Sequence, residues 1–561
     1  MNKKSTFALV IGCSLILASC GKELTEFVSD VTVTPSPLEL VGDKVPATIT
    51  GTVLEKTFIK DCEVTVTPYL VYGDTETASA PYTFQGEKVS GNNTVIPYDE
   101  GATVTIPALF AYTPEMDQSE LYLDIQVVQG SKTYSLDRIK VADGVISTPY
   151  LATAATSESA ITADAYQRIV PDEYTADILF LINDTKVRDS ETDSEGVTTF
   201  TDQLKAASDN DRIDVKTVNI ASYASPDGTV EYNTKVASGR EENTQKYLDK
   251  SIQDNEITNI GELTADFTAE DWEGFQELVT ASDIQDKDLI LSVLSMYSDP
   301  EQREAEIRNL SSVFDQLAED ILPLLRRSRL TASVDLIGRS DEEILAAYEE
   351  DPSQLSVEEI LYAATLVDDN AKKLEIYKKA TELYGDDYRT WNNLATTQLA
   401  AGDYDAAKKS ITKAEALNAD SKEVQLNKAL IALAQDDLKT ANTAIGKAGG
   451  IEGTNEALGL YYIKLGQYDE AVKAYGDTKS NNAAIAQIAV KDYSTAKNTL
   501  TAIEEPDATT YYLLAVVAAR TSDEESVVLS NLSKAIELDS TYADRAKTDI
   551  EFAAYDITSV L

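Results

Sequence analysis

Ile220-Ala-Ser-Tyr-Ala-Ser-Pro-Asp-Gly228, followed by Tyr232-Asn233, Val236, Arg240 and Tyr247-Leu248, is the stretch on which the reading of this chain turns. Apolar residues at Ile213, Val215, Val218 and Ile220 alternate ahead of it, the signature of a strand with one buried face. Pro226-Asp227-Gly228 is turn chemistry, because proline presets φ and glycine tolerates the return. The residues that follow predict a helix from Val230 to Ile252 with Asn233 and Arg240 on neighbouring turns. Upstream, Ala176-Asp-Ile-Leu-Phe-Leu-Ile-Asn183 reads as a buried strand and Thr199 to Ala207 as a short helix. Downstream, Thr258 to Phe267 reads as a third strand and Leu330 to Ile337 as the last one. Between those two lies a helical insertion of about residues 285–325, with apolar residues such as Val293, Leu294, Ile307, Leu317 and Ile321 at helical spacing. Residues 166–338 are thus expected to form one α+β domain.

The flanking regions have different periodicities. Residues 20–146 alternate with period two in Val31–Thr34, Ala47–Val53, Cys62–Val71, Thr103–Ile106 and Leu121–Val128, and turn-forming clusters separate these runs. The expectation is an immunoglobulin-like β-sandwich. Ser147-Thr-Pro and an Ala/Thr/Ser-rich run to Ala165 read as a linker, residues 147–165. From 339 to 561 the chain reads as helices only, and it repeats. Trp391, Leu394, Ala395, Gly402, Tyr404, Ala407, Ile411, Ala414 and Leu417 set the pattern. The second helix recurs thirty-four residues later at Leu438, Ala441, Ile445 and Ala448. A single helical pair cannot bury its apolar face, so stacking into a superhelix with a concave groove follows. Arg389, Asn392 and Thr396 are the residues expected to face that groove, where polar groups suit an extended peptide or a partner's tail.

Two resemblances sharpen these readings. The helical repeats resemble tetratricopeptide repeats in residue type and in period. The stretch around Tyr223–Arg240 resembles the core motif of the outer membrane protein A C-terminal domain, in the variant associated with lipoproteins of the Bacteroidota envelope. That resemblance implies a peptidoglycan clasp, in which an aspartate at the strand end and an arginine on the following helix hold the charged groups of diaminopimelate. Gly228, Tyr232, Asn233, Val236 and Arg240 fall on the family's positions, but Ser225 stands where the aspartate is expected. A serine cannot pair with an ammonium group, and Asp227 is the nearby acid that would replace it. The implied peptidoglycan-binding set is Ser225, Asp227, Asn233 and Arg240.

Residues 1–19 read as a signal peptide, with Lys3 and Lys4 ahead of a short apolar run. They end in Leu17-Ala18-Ser19-Cys20, which resembles a lipobox and implies diacylglycerol on the Cys20 thiol. An outer-membrane, lipid-anchored protein is expected, on the periplasmic face or the cell surface. The 561 residues carry 48 basic and 96 acidic side chains, a net charge of −48, which repels phosphate backbones and excludes a nucleic-acid role. There is no histidine, which removes Ser-His-Asp and Cys-His catalysis and histidine-liganded zinc. No catalytic residues, metal ligands or cofactor are expected. The function expected is a non-enzymatic envelope scaffold that binds a protein partner through its repeats, and peptidoglycan through the clasp. Two rivals stand beside it: a surface accessory lipoprotein of a nutrient-uptake or secretion complex without cell-wall binding, and a carboxylate-based hydrolase.

Overall fold

The computed structural model describes residues 28–284, 287–309 and 315–561. Cys20 and the expected signal peptide lie outside the described residues, as do Leu310 and Phe314 of the insertion. The chain divides into two compact units, one made of residues 1–164 and 367–561, the other of residues 165–366.

In the first unit, period-two alternation becomes two sheets. β1 (Val28–Thr34), β2 (Lys44–Val53) and β7 (Ala102–Ala111) form a three-stranded sheet in the order β1-β2-β7. The second sheet is built on β3 (Cys62–Tyr72) and β8 (Glu120–Gln129), with β10 (Ile139–Asp143), β5 (Tyr82–Gly86) and β6 (Thr94–Ile96) completing the order β10-β8-β3-β5-β6. Two short strands, β4 (Thr75–Ala78) and β9 (Lys132–Ser135), pair with β3 and β8. Inward residues of both sheets, among them Val45, Ile49, Leu70, Phe110 and Leu121, share one core. Cys62 is buried there, and desolvation pushes its thiol up to about 11.

The sandwich and the repeats belong to the same unit, where separate domains were expected. The seam explains it. Tyr468 donates its hydroxyl to the Leu40 carbonyl at 2.8 Å, and Lys491 pairs with Glu39 at 3.0 Å. Gly466, at φ +72°, lies so close to Val41 that a Cβ would sit 2.5 Å from its side chain. Gly402, at the matching repeat position and φ +75°, has nothing within 4 Å. Only the first of these glycines is therefore required by close packing as well as by backbone geometry.

The helical pairs stack as the small residues predict. Ala395, Ala407, Ala414, Ala429, Ala441 and Ala457 are fully buried and let neighbouring helices approach, and Leu399, Ile411, Leu430 and Leu433 fill the spaces between them. Aspartate or serine caps most of these helices: Asp403 accepts from the Ala406 N–H, and Ser421 from the Val424 N–H.

The second unit holds a four-stranded sheet in the order β11-β14-β12-β13, from β11 (Ile169–Leu179), β12 (Ile213–Tyr223), β13 (Glu262–Thr268) and β14 (Arg327–Ile337). β12 and β13 are parallel, while β14 runs antiparallel to both β11 and β12. α1 (Glu195–Ser208) and α2 (Val230–Asp254) pack on it through Phe200, Leu204 and Leu248, over Ile178, Val218, Ile220 and Leu330. The insertion closes its own small core around Phe275, Val279, Ile290, Leu294 and Leu325. The unit runs on to Leu366, beyond the boundary at 338 that periodicity suggests. Its last helices are tied back by Arg339, which bonds both Glu359 oxygens at 2.9 Å, and by stacking of Tyr166 on Tyr362 at 4.7 Å.

Candidate functional site

The clasp residues come together at the end of β12, but they face inward. Arg240 is 1% exposed. Its Nε donates to the Asp184 carbonyl at 3.0 Å, Nη1 to Tyr223 at 2.7 Å and Nη2 to Leu181 at 3.2 Å. The guanidinium lies 5.0 Å above the Phe180 ring. Desolvation, with the nearby charge of Arg326, pulls its pKa down to about 10. A carboxylate ligand would have to displace main-chain carbonyls to reach it.

The acid side of the clasp is closed in the same way. Ser225 donates its hydroxyl to Asp227 at 2.5 Å, and Arg326 donates to Ser225 Oγ at 3.1 Å. Arg326 also pairs with the Asp227 carboxylate at 3.2 Å. The position an ammonium group would take on that carboxylate is held by the chain's own guanidinium. Arg308, from the insertion, donates to the Asp227 carbonyl. Asn233 is buried and donates to the Gly228 carbonyl at 3.1 Å and to Glu270 at 3.3 Å. The expectation that Ser225, Asp227, Asn233 and Arg240 present themselves to a ligand is thus corrected. They knit the strand end, the turn and α2 together, because burial favours internal partners for every polar group.

The groove of the repeats is also filled. Residues 147–164, expected to be a linker, run along it: a 3-10 turn at Thr148–Leu151 and a second turn, closed by the Ser157 N–H on the Ala154 carbonyl at 3.2 Å, lead into an irregular run to Asp164, and Ala154, 1% exposed, joins the core. Three asparagines grip this strap by its main chain. Asn482 accepts from the Thr153 N–H at 3.0 Å and donates to the Thr153 carbonyl at 2.7 Å. Asn427 makes the same pair with Ala160, at 2.9 and 2.7 Å, and Asn393 with Thr162, at 2.8 and 3.0 Å. An amide side chain has one acceptor and one donor end, which match the N–H and C=O of a single extended residue. Glu456 accepts from the Glu158 N–H at 3.0 Å between the first and second of these anchors.

The expected groove residues are in place with a different task. Arg389 donates to the Asp164 carbonyl at 2.9 Å and pairs with Asp387 at 2.7 Å. Asn392 is buried and donates to the Ala160 carbonyl at 2.9 Å. Thr396 is buried, and its hydroxyl donates to the Asn393 carbonyl at 2.8 Å. The partners of all three are the strap or their own helix. Asn393, Asn427 and Asn482 went unnoticed in the sequence. The available signal was that Asn393 and Asn427 stand thirty-four residues apart, at one position of the repeat.

At its start the strap is rooted in a buried polar cluster. Thr148 donates to Glu551 at 3.1 Å, and Arg545 to the Ser147 hydroxyl at 3.1 Å. Arg520 pairs with Glu551 at 2.6 Å, Tyr512 donates to Asp549 at 2.6 Å, and Tyr112 of the sandwich donates to Asp117 at 2.5 Å. Desolvation raises the carboxyl pKa of both Asp117 and Glu551. Among the described residues, no group of three or more His, Cys, Asp or Glu side chains could hold a metal ion, and no helix is long and apolar enough to cross a membrane.

Family models described as tetratricopeptide repeat match residues 376–409 and 454–477. The helical pairs in these two segments are tetratricopeptide repeats, a class of repeat that implies a protein–protein interaction scaffold. Among solved structures, a tetratricopeptide repeat protein from Parabacteroides merdae is similar at 14% identity, over 37% of this chain and 91% of that one, with a TM-score of 0.32. The APC/C hetero-tetramer Cut9–Hcn1 is similar at 14% identity, over 60% of this chain and 72% of that one, with a TM-score of 0.32. Yeast Tom70 is similar at 13% identity, over 64% and 88%, with a TM-score of 0.26. A search of curated proteins finds no match.

Proposed function

We propose that the chain is a non-enzymatic adaptor of the bacterial outer membrane, anchored by lipid on Cys20, that binds a protein partner and does not grip the cell wall. The observation that carries the adaptor reading is the stack of tetratricopeptide repeats welded to a β-sandwich in one unit. Such a body presents a long, rigid surface to other proteins. The order β11-β14-β12-β13 with Asn233 and Arg240 on α2 supports kinship of the second unit with the outer membrane protein A C-terminal domain. The closed clasp favours a retained fold whose ligand groups serve the fold. Leu17-Ala18-Ser19-Cys20 supports the lipid anchor.

Crosslinking in intact cells, with identification of the products, tests the adaptor reading. Recovery of a defined envelope protein is expected, and recovery of no protein above the level of a control lipoprotein defeats it. Protease shaving of the same cells distinguishes the surface from the periplasmic face. Cys20→Ala should lose incorporation of labelled acyl chains and leave the membrane fraction. Sedimentation with purified peptidoglycan should leave the mature protein in the supernatant, and retention sensitive to Asp227→Ala would restore the cell-wall reading.

A further inference from the structure

A peptide already lies in the groove of the repeats, and the way it is held decides what that means. The pairs from Asn482 to Thr153, Asn427 to Ala160 and Asn393 to Thr162 are made to N–H and C=O groups, which every chain offers, and the only side chains these asparagines touch on the strap are the small hydroxyls of Ser157 and Thr162. From Ala152 to Thr162 the side chains are small except for Glu158 and Ile161, and Ile161 is 48% exposed. The segment therefore buries little apolar area, and its hydrogen bonds are of a kind that water or another chain can replace. Gly453, at φ +79°, lies where a Cβ would come within 2.6 Å of the Glu158 carbonyl, so the groove wall is shaped to a passing main chain. Midway along, Glu158 stands against the like charges of Glu452 and Glu456, which oppose its seating.

We infer that Ala152–Thr162 is a tethered ligand that keeps the repeat groove shut, and that the groove receives a small-residue segment of a protein partner, gripped by its main chain, only when this segment leaves it. A tether of this length holds its ligand at an effective concentration on the order of millimolar. A free peptide with an intrinsic Kd of about 10 μM would then be weakened roughly a hundredfold by the resident strap. The identity of the partner rests on the adaptor reading, whereas the occupancy of the groove does not. A probe taken from this chain separates the two.

The probe is a fluorescein-labelled synthetic peptide spanning Leu151–Asp164, titrated by anisotropy. It is added to the mature chain and to a variant whose residues 152–162 are replaced by a Gly/Ser run of equal length. The variant should bind it at least thirtyfold more tightly than the parent. Adding Asn427→Ala and Asn482→Ala to the variant should weaken that binding tenfold or more. Equal binding by parent and variant, or no binding by a variant whose helical circular dichroism is intact, overturns the inference. If the replaced chain fails to fold, Ala160→Pro in the parent gives the answer, since it removes the N–H that Asn427 accepts. Faster proteolysis within 152–162 and measurable uptake of the peptide are then expected, and parental rates with no uptake overturn the inference.

Discussion

The clasp and the groove are the two places where the sequence points to a ligand from outside, and in both the chain supplies the ligand itself. They differ in what does the filling. In the clasp, the fillers are guanidinium groups on regular elements: Arg240 on α2 meets the carbonyls of Leu181, Tyr223 and Asp184, and Arg326, next to β14, meets Asp227. None of these can withdraw without disturbing the sheet. In the groove, the filler is a segment outside any strand, fixed by the main-chain pairs at Thr153, Ala160 and Thr162. It can leave as a piece while the helices stay stacked. Two sites of similar outward occupancy thus have opposite prospects: the clasp has become structure, and the groove has become a held position.

The strongest test of that contrast is Arg240→Ala. The change opens a cavity and takes a donor from the Asp184, Tyr223 and Leu181 carbonyls, of which Leu181 keeps the Asp184 N–H, so a loss of about 3 kcal/mol in the stability of residues 165–366 is expected. Arg240→Lys should recover little, because a point charge on a flexible stem cannot satisfy the fork of acceptors. Denaturant unfolding followed through Trp272, which lies in this unit, measures it. A stable Arg240→Ala protein would mean that the guanidinium is held in reserve for a ligand.

Asn427→Ala is the matching test in the groove. It leaves the Ala160 N–H without its partner, while the C=O keeps the Asn392 amide, and should cost about 1–3 kcal/mol locally. Hydrogen exchange should speed up at Thr153, Ala160 and Thr162 together, while the core amides of the helix Lys422–Ala434 keep their protection. Uniform loss of protection through the repeats would show instead that the strap is an inseparable part of their core, and the distinction from the clasp would fail.

How far these features were legible follows from the kind of signal each one leaves. Period-two alternation marked β2, β3 and β8, and the thirty-four-residue recurrence marked the helical pairs, because core packing repeats with the geometry of the element. The turn Pro226-Asp227-Gly228 and the helix after it were equally plain. The direction in which Arg240 and Asp227 point was not, since Asp227 depends on Arg326 and Arg308, 99 and 81 residues away, and Arg240 on carbonyls of Leu181 and Asp184, 59 and 56 residues away. The strap was the least legible feature. An Ala/Thr/Ser run that bonds through its main chain carries no side-chain pattern, so 152–162 reads as a linker whether it is bound or free. Its only trace is on the other partner, in asparagines that recur where a repeat's inner face needs nothing polar for packing.

The smallest effect expected concerns the root of the strap. Glu551 is buried and accepts from Thr148, and Asp117 is buried beside Tyr112. Burial holds both carboxyl groups above their ordinary pKa. A carboxyl raised in the folded state binds its proton more readily than in the unfolded chain, so stability grows as pH falls from neutral toward the raised values. The gain should be read as a rise in Tm on acidification from neutral pH. Relief of repulsion within a chain of net charge −48 adds to it, but added salt screens that part and leaves the buried part largely intact. Glu551→Gln in 0.5 M salt should therefore flatten the pH dependence of the Tm relative to the parent. If the variant keeps the parental slope, the rise belongs to the acidic surface as a whole and not to the root of the strap.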